Sequence, residues 1–314
     1  MPNQSCPKPC ALRLGPKSQR RVRVITSISD MAAAAFKPVP VPRSRLRSLV
    51  IPREHGAWGL LLIPLLTGAC AGLTVAQDWL SLAEFSVAAL ALFWMRTPVE
   101  SALGTSPMRA QSASESNWLL LAIAALGSVA MVCITALLWD GAGRGLLFLG
   151  AVAAVAFAVQ ALVKKLGRSA RMPAQMIGAL GLTAAAPAAW YVVTGQLDAR
   201  ACGLWLANWI CAGNQVHFVQ LRIHSARAAT LGEKFLRGRW FFFGQLAMAA
   251  ALLFAWRAHF LPGLAILAFL PLLARGFLWF VSGARPLTVK RLGWSELAHG
   301  VAFGVLLIAA YRLH

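Results

Sequence analysis

Apolar runs long enough to cross a bilayer alternate with short polar connections along most of the chain. A helix rises 1.5 Å per residue, so about 20 apolar residues cross the hydrocarbon core, and fewer suffice where flanking side chains reach toward water. On that rule nine spans are predicted, over 57–76, 79–95, 118–139, 145–163, 173–193, 201–221, 240–256, 259–281 and 294–311. Ten of the twelve Trp, among them Trp58, Trp139, Trp240 and Trp294, fall near the end of a run, where an amphipathic indole favours the membrane interface. The expected fold is all-α, a polytopic membrane helix bundle of about nine transmembrane helices. Residues 51–314 form the transmembrane domain.

Composition agrees. With 59% hydrophobic and 13% charged residues, and a mean hydropathy of +0.65, a water-soluble globule of ordinary composition is excluded. Residues 1–50 differ: they are rich in Pro, hold ten Lys or Arg and a single acid, Asp30, and have no apolar run of a secretory signal. A tail of that kind cannot bury enough surface to offset its ordering entropy and is expected to be disordered, with its basic residues near anionic head groups. Met31 opens a second plausible start, so either Met1 or Met31 fits the beginning of the native chain.

The formal charge of +20 raises the question of nucleic acid, but the cations follow the membrane pattern. The tail and alternate connections hold 25 of the 30 Lys and Arg, the opposite connections only Arg144, Arg200, Arg257 and Arg312, and Arg275 lies inside a span. Short cytoplasmic loops carry such an excess, which predicts a cytoplasmic N-terminus and an external C-terminus, with a bacterial inner (plasma) membrane as the natural home. Topology accounts for the surplus. No basic-aromatic reader motif is present, so no nucleic-acid partner is expected, and protein partners are undetermined. Six Cys without a CxxC pair give no disulfide framework, and neither a metal site nor a cofactor is expected.

Ionisable groups at membrane depth are costly and are functional candidates by default. Here they gather on the predicted cytoplasmic side. Arg53, Glu54 and His55 precede the first span, Arg96 and Glu100 follow the second, and Asn214, His217, Arg222 and His224 close the sixth. These nine are the candidate ligand-binding residues; no catalytic residue is assigned. On a helix Asn214, His217 and His224 share one face. Arg275 lies near the inner end of the eighth span, and Glu296 and His299 open the ninth. Each position alone also fits snorkelling or capping at an interface. Together the clusters predict a polar cavity open to the cytoplasm. Glu84, Asp78, Asp140 and Asp198, on the other side, read as loop and interface residues.

The stretch Pro52-Arg53-Glu54-His55-Gly56-Ala57-Trp58, leading into an apolar helix, resembles the opening motif of the YwiC-like family of bacterial integral membrane proteins, and the hydropathy pattern over 51–312 is similar to that family's. A more distant resemblance is to UbiA-type intramembrane prenyltransferases, which implies nine helices, a cytoplasm-facing cavity and a UbiA-like arrangement. The run from Lys164 to Leu231, with Lys165, Arg168, Pro173, Gln175 and Gly178, looks like the corresponding stretch of those enzymes. Their Asp-rich motifs are missing. Where they occur, this chain has Arg96-Thr97-Pro98-Val99-Glu100 and Asn214-Gln215-Val216-His217. Mg²⁺ bridging a diphosphate needs several hard oxygen ligands, so Mg-dependent prenyl transfer is disfavoured.

The sequence thus points to a cavity that binds a membrane lipid or isoprenoid-like ligand, with Arg53, Arg96, Arg168 and Arg222 as anchors for an anionic head group. Catalysis remains undecided. The alternative is a transporter or permease of a small solute, for which Pro187, Pro262 and Pro271 would mark broken helices, although no half-to-half repeat or outer polar trail accompanies them. A subunit that docks a cytoplasmic protein is a third possibility without specific residue support. Sidedness is directly testable: alkaline phosphatase fused after Arg312 should be active, and fused within 164–172 should be inactive.

Overall fold

The computed structural model describes residues 55–106, 111–141, 143–226, 230–283 and 288–313, together with the single positions 50 and 228. Among them the chain makes nine helical passes. In order these are α1 (His55–Gly72), α2 (Trp79–Ala102), α3 (Ala113–Trp139), α4 (Gly143–Lys165), α5 (Arg171–Thr194), α6 (Ala199–His224), α7 (Leu231–Arg257), α8 (Gly263–Val281) and α9 (Val289–Arg312). Each coincides with one predicted span. The basic and Pro-rich tail, including both candidate start sites, lies outside the described residues.

Seven of the nine are long and apolar enough to cross a membrane; α1 is shorter, and α6 falls out because Asn208, Asn214, Gln215 and His217 dilute its apolar run. That makes α6 a helix stabilised in the bilayer by its neighbours, since its polar side chains need partners that lipid does not offer. It packs against α1, α5, α7, α8 and α9. Asn208 donates to Thr67 Oγ1 on α1 at 2.9 Å and to its own Leu204 carbonyl at 2.9 Å. Trp205 and Trp209 donate from their indole nitrogens to the Leu180 and Met176 carbonyls of α5, at 3.1 and 3.3 Å.

Burial separates the central helices from those that face lipid. Two thirds of the α5 window (67%) is inside the bundle, against 11% for α3, which packs chiefly on α2. Because lipid tails are as apolar as Leu, helices in a bilayer associate through close packing and small residues rather than by hiding apolar surface. α5 supplies such residues: Ala184, Ala185, Ala186, Ala188 and Ala189 are all buried. Its helix is interrupted at Ala184, next to Thr183, whose carbonyl, one turn before Pro187, lacks the donor that Pro187 cannot provide. α8 begins as a 3-10 segment, Gly263–Phe269, and turns α-helical at Leu270 with Pro271 in its first turn.

At the ends, Asp78 caps α2 by accepting from Ser81 N at 3.0 Å, and Asp198 caps α6 by accepting from Ala201 N at 2.9 Å. Both are N-terminal caps where a carboxylate also suits the helix dipole. Lys234, 3% exposed, does the reverse: its ammonium donates to the Trp279 and Ser282 carbonyls at the C-terminus of α8, so one cation of the 222–239 connection is a buried helix cap.

α1 and α5 touch where both are small. A Cβ added at Gly68 would lie 2.0 Å from the Ala186 carbonyl oxygen, a contact only backbone separation relieves. Gly68→Ala should therefore destabilise the protein by about 3 kcal/mol or more, at or beyond the upper end of ordinary overpacking. Gly56→Ala, which meets nothing within 4 Å, should be near neutral; unfolding midpoints in detergent distinguish the two.

Candidate functional site

A cleft of about 260 Å³ lies on α6, with α5 and α7 as its walls. Met176, Trp209, Ile210, Met248 and Ala251 make it mostly apolar, and Asn214, His217 and Gln245 are its polar side chains. Both α5 and α7 pack on α6, so the cleft is the gap the two leave over it. Small residues keep that gap open. Gly213 and Gly244 line it, and a Cβ at Gly244 would stand 3.5 Å from His217 Nδ1.

The cleft floor is held by an ion pair behind it. Arg275 of α8 donates from Nη1 to Glu296 Oε2 of α9, and from Nη2 to Asn214 Oδ1 of α6 at 2.7 Å. Its guanidinium carbon lies 4.1 Å from the Phe218 ring centroid. Three helices are thus joined by one cation at membrane depth, where an unpaired charge is costly. Gln215 adds a second link between α6 and α9 by donating to the Glu296 carbonyl at 3.0 Å.

This arrangement orients Asn214. Arginine has only donors, so the Asn214 atom facing it is the carbonyl oxygen, and the NH₂ group is left to the cleft. No partner for that NH₂ group occurs among the described residues. His217, three residues on, is half-buried with its ring edge-on to Phe241 at 5.2 Å, and its ring nitrogens likewise have no hydrogen-bond partner among the described residues. Gln245 is 1% exposed, and neither its amide nitrogen nor its oxygen is paired. Buried polar groups are nearly always satisfied, so the unpaired Gln245 amide is unusual.

The nine residues predicted as ligand-binding are only partly among the described residues. Asn214 and His217 share the cleft. Arg96 and Glu100 sit at the end of α2, where Glu100 accepts from Arg96 Nε and from Lys164 Nζ of α4, both at 2.9 Å. Neither Asn214 nor His217 bonds to that triad. His224 is exposed and its Nδ1 lies 2.8 Å from the Gln220 carbonyl; Arg222 is half-buried and engaged. His55 begins α1, and its side chain, like Arg53, Glu54 and the Arg168 side chain, lies outside the described residues. His299 is 2.6 Å from the Ser295 carbonyl of its own helix. Gln245 was not anticipated: in a lone span it reads as one polar residue among many, and only its burial against α8, beside Gly276, sets it apart.

Among the described residues no group of three or more His, Cys, Asp or Glu stands close enough to hold a metal ion. Residues 51–190 of the chain match the YwiC-like protein family, a stretch that covers α1 to most of α5 and includes Arg96 and Glu100 but stops short of α6. No curated protein and no solved structure matches the chain.

The ion pair generates a stability prediction. Arg275→Met alone leaves Glu296 buried without its cation and should cost about 3–5 kcal/mol, and Glu296→Leu alone should cost as much. The double substitution should recover most of the loss, as a double-mutant cycle on unfolding in mixed detergent would show.

Proposed function

We propose that this YwiC-like multi-pass membrane protein binds an isoprenoid-type lipid in the cleft over α6, with the chain of the lipid between α5 and α7 and its head on Asn214 and His217. The observation that carries this reading is the pair of unpartnered polar groups, the Asn214 NH₂ and the His217 imidazole, at the floor of an otherwise apolar cleft. Lipid has no hydrogen bonds to offer these groups, whereas a carbonyl or hydroxyl head does.

The charge of the head group follows from the neighbours. Arg275 is matched by Glu296, and Arg96 and Lys164 both engage Glu100, so the cleft itself presents amides and an imidazole rather than a free guanidinium. An uncharged head that accepts hydrogen bonds, as in a quinone or a polyprenol, suits it better than the diphosphate of UbiA-type substrates. With no carboxylate set to bridge Mg²⁺ at the cleft, the reading is one of binding and assigns no reaction. The excess of Lys and Arg at the end where α6 finishes supports a cleft in the cytoplasmic half of a bacterial plasma membrane, with the N-terminus inside.

The test is a thermal-shift panel on the purified full-length protein in detergent, with a long-chain isoprenoid quinone, a polyprenol, a polyprenyl phosphate and phosphatidylcholine. The quinone or polyprenol should raise the midpoint by several degrees, and His217→Phe, which keeps a ring against Phe241, should remove that rise without lowering the ligand-free midpoint. No shift with either neutral isoprenoid, or an equal shift in the variant, overturns the reading.

A further inference from the structure

The end of the bundle that is poor in cations carries a second cavity, of about 120 Å³. It lies where the connection from α7 to α8 meets the start of α6 and the end of α9. Arg200, Trp256, His259 and Tyr311 line it, with Phe260 and Leu261 from the connection itself. Only four Lys or Arg belong to this end, and one of them is in the cavity wall. Arg200 lines the cavity, Arg257 stacks on Trp256 with its guanidinium carbon 5.2 Å from the ring centroid, and Arg312 directly follows Tyr311. They come from three separate connections. The distribution of charge along the chain keeps cations away from this end, so an arginine in the wall of a cavity there calls for a local cause.

The cavity is built on a fixed backbone. A Cβ at Gly203 would lie 1.8 Å from the Phe260 carbonyl oxygen, so the connection rests directly on α6. Tyr311 donates to the Arg200 carbonyl at 3.3 Å and fastens the end of α9 to the start of α6. The turn closes through His259 N to the Trp256 carbonyl at 3.0 Å and Phe260 N to the Ala255 carbonyl at 2.9 Å. In that turn His259 has φ +60°, the one non-glycine residue with positive φ among those described. Glycine takes that conformation at no steric cost and histidine does not, and His259 also lines the cavity.

The lining chemistry is one-sided. Arg200, His259, Trp256 and Tyr311 are its polar lining residues, and no carboxylate residue lines it. The nearby Asp198 is occupied as the cap of α6. We infer that this cavity is an oxyanion site that takes a phosphate group, either free or as the head group of an anionic phospholipid in the adjacent leaflet. Guanidinium and imidazole supply charge-assisted donors for it, and the volume admits a group of phosphate size rather than a larger ligand. This site lies at the other end of α6 from the isoprenoid cleft and does not depend on it.

Thermal shift of the full-length protein in phosphatidylcholine nanodiscs, titrated with inorganic phosphate and with chloride at matched ionic strength, tests the free anion. Nanodiscs containing phosphatidylglycerol test the lipid. Saturable stabilisation by either upholds the site and identifies its source, provided that Arg200→Gln weakens it about tenfold or more and Arg144→Gln, away from the cavity, leaves it unchanged. His259→Gly, which relieves the backbone, should weaken binding while the midpoint without phosphate stays level or rises. No stabilisation in the wild type by phosphate or phosphatidylglycerol, or an equal effect in Arg200→Gln and His259→Gly, overturns the inference.

Discussion

The buried pair of Arg275 and Glu296 is the constraint on which the arrangement of the last four helices rests. Neither charge is tolerable alone at membrane depth, so α8 and α9 must present them to each other, and Asn214 must stand where the second arm of the guanidinium ends. That fixes the rotation of α6 about its axis. With α6 so turned, Phe218 faces the cation from the ring side, Asn208 meets Thr67 on α1, and His217 is carried to the cleft. Apolar packing alone does not select that rotation, because lipid competes for any apolar face.

The same economy explains why α6, the most polar pass, is also among the most enclosed. Its Asn, Gln and Trp side chains bond to α1, α5 and α9, and Asn214 and His217 also line the cleft. α3 shows the opposite solution. It has almost no polar side chains in its span and faces lipid over most of its surface, with Met131, Val132 and Trp139 exposed. A helix with nothing to hide needs few neighbours.

Most of this architecture is legible in the linear pattern, since bilayer thickness sets helix length and every one of the nine apolar runs became a helical pass. Pro187, Pro262 and Pro271 accompany the breaks in α5 and α8, but Pro64 and Pro98 stand inside unbroken helices, so a proline alone does not locate a break. Side-chain convergence is not legible there. Arg96 and Glu100 are four residues apart on one helix, so their pairing is written in their spacing, whereas Lys164, which joins them, stands 64 residues further along the chain than Glu100. Asn214 and His217 were recognisable as one polar face, but Gln245 and Arg275 reach them only through the packing of α7 and α8 on α6. Lys234 shows the limit of charge counting: a cation of a basic connection proves to be a buried helix cap.

α6 connects the two cavities, since Asn214 and His217 lie toward one end and Arg200 at its first turn. Its two ends differ in how their charges are handled. Toward the basic end, four cations of the described residues have a carboxylate or a carbonyl: Arg275 has Glu296, Lys164 and Arg96 share Glu100, and Lys234 caps α8. The cleft itself is lined by Asn214, His217 and Gln245 rather than by a cation. At the other end Asp78 and Asp198 cap helices, and Arg200 gains no carboxylate from the lining of the 120 Å³ cavity. The same helix therefore presents an uncharged hydrogen-bonding surface in one half of the membrane and a cationic one at the opposite interface. A single amphipathic ligand is not complementary to both, and the chemistry of each end is better met by a separate molecule.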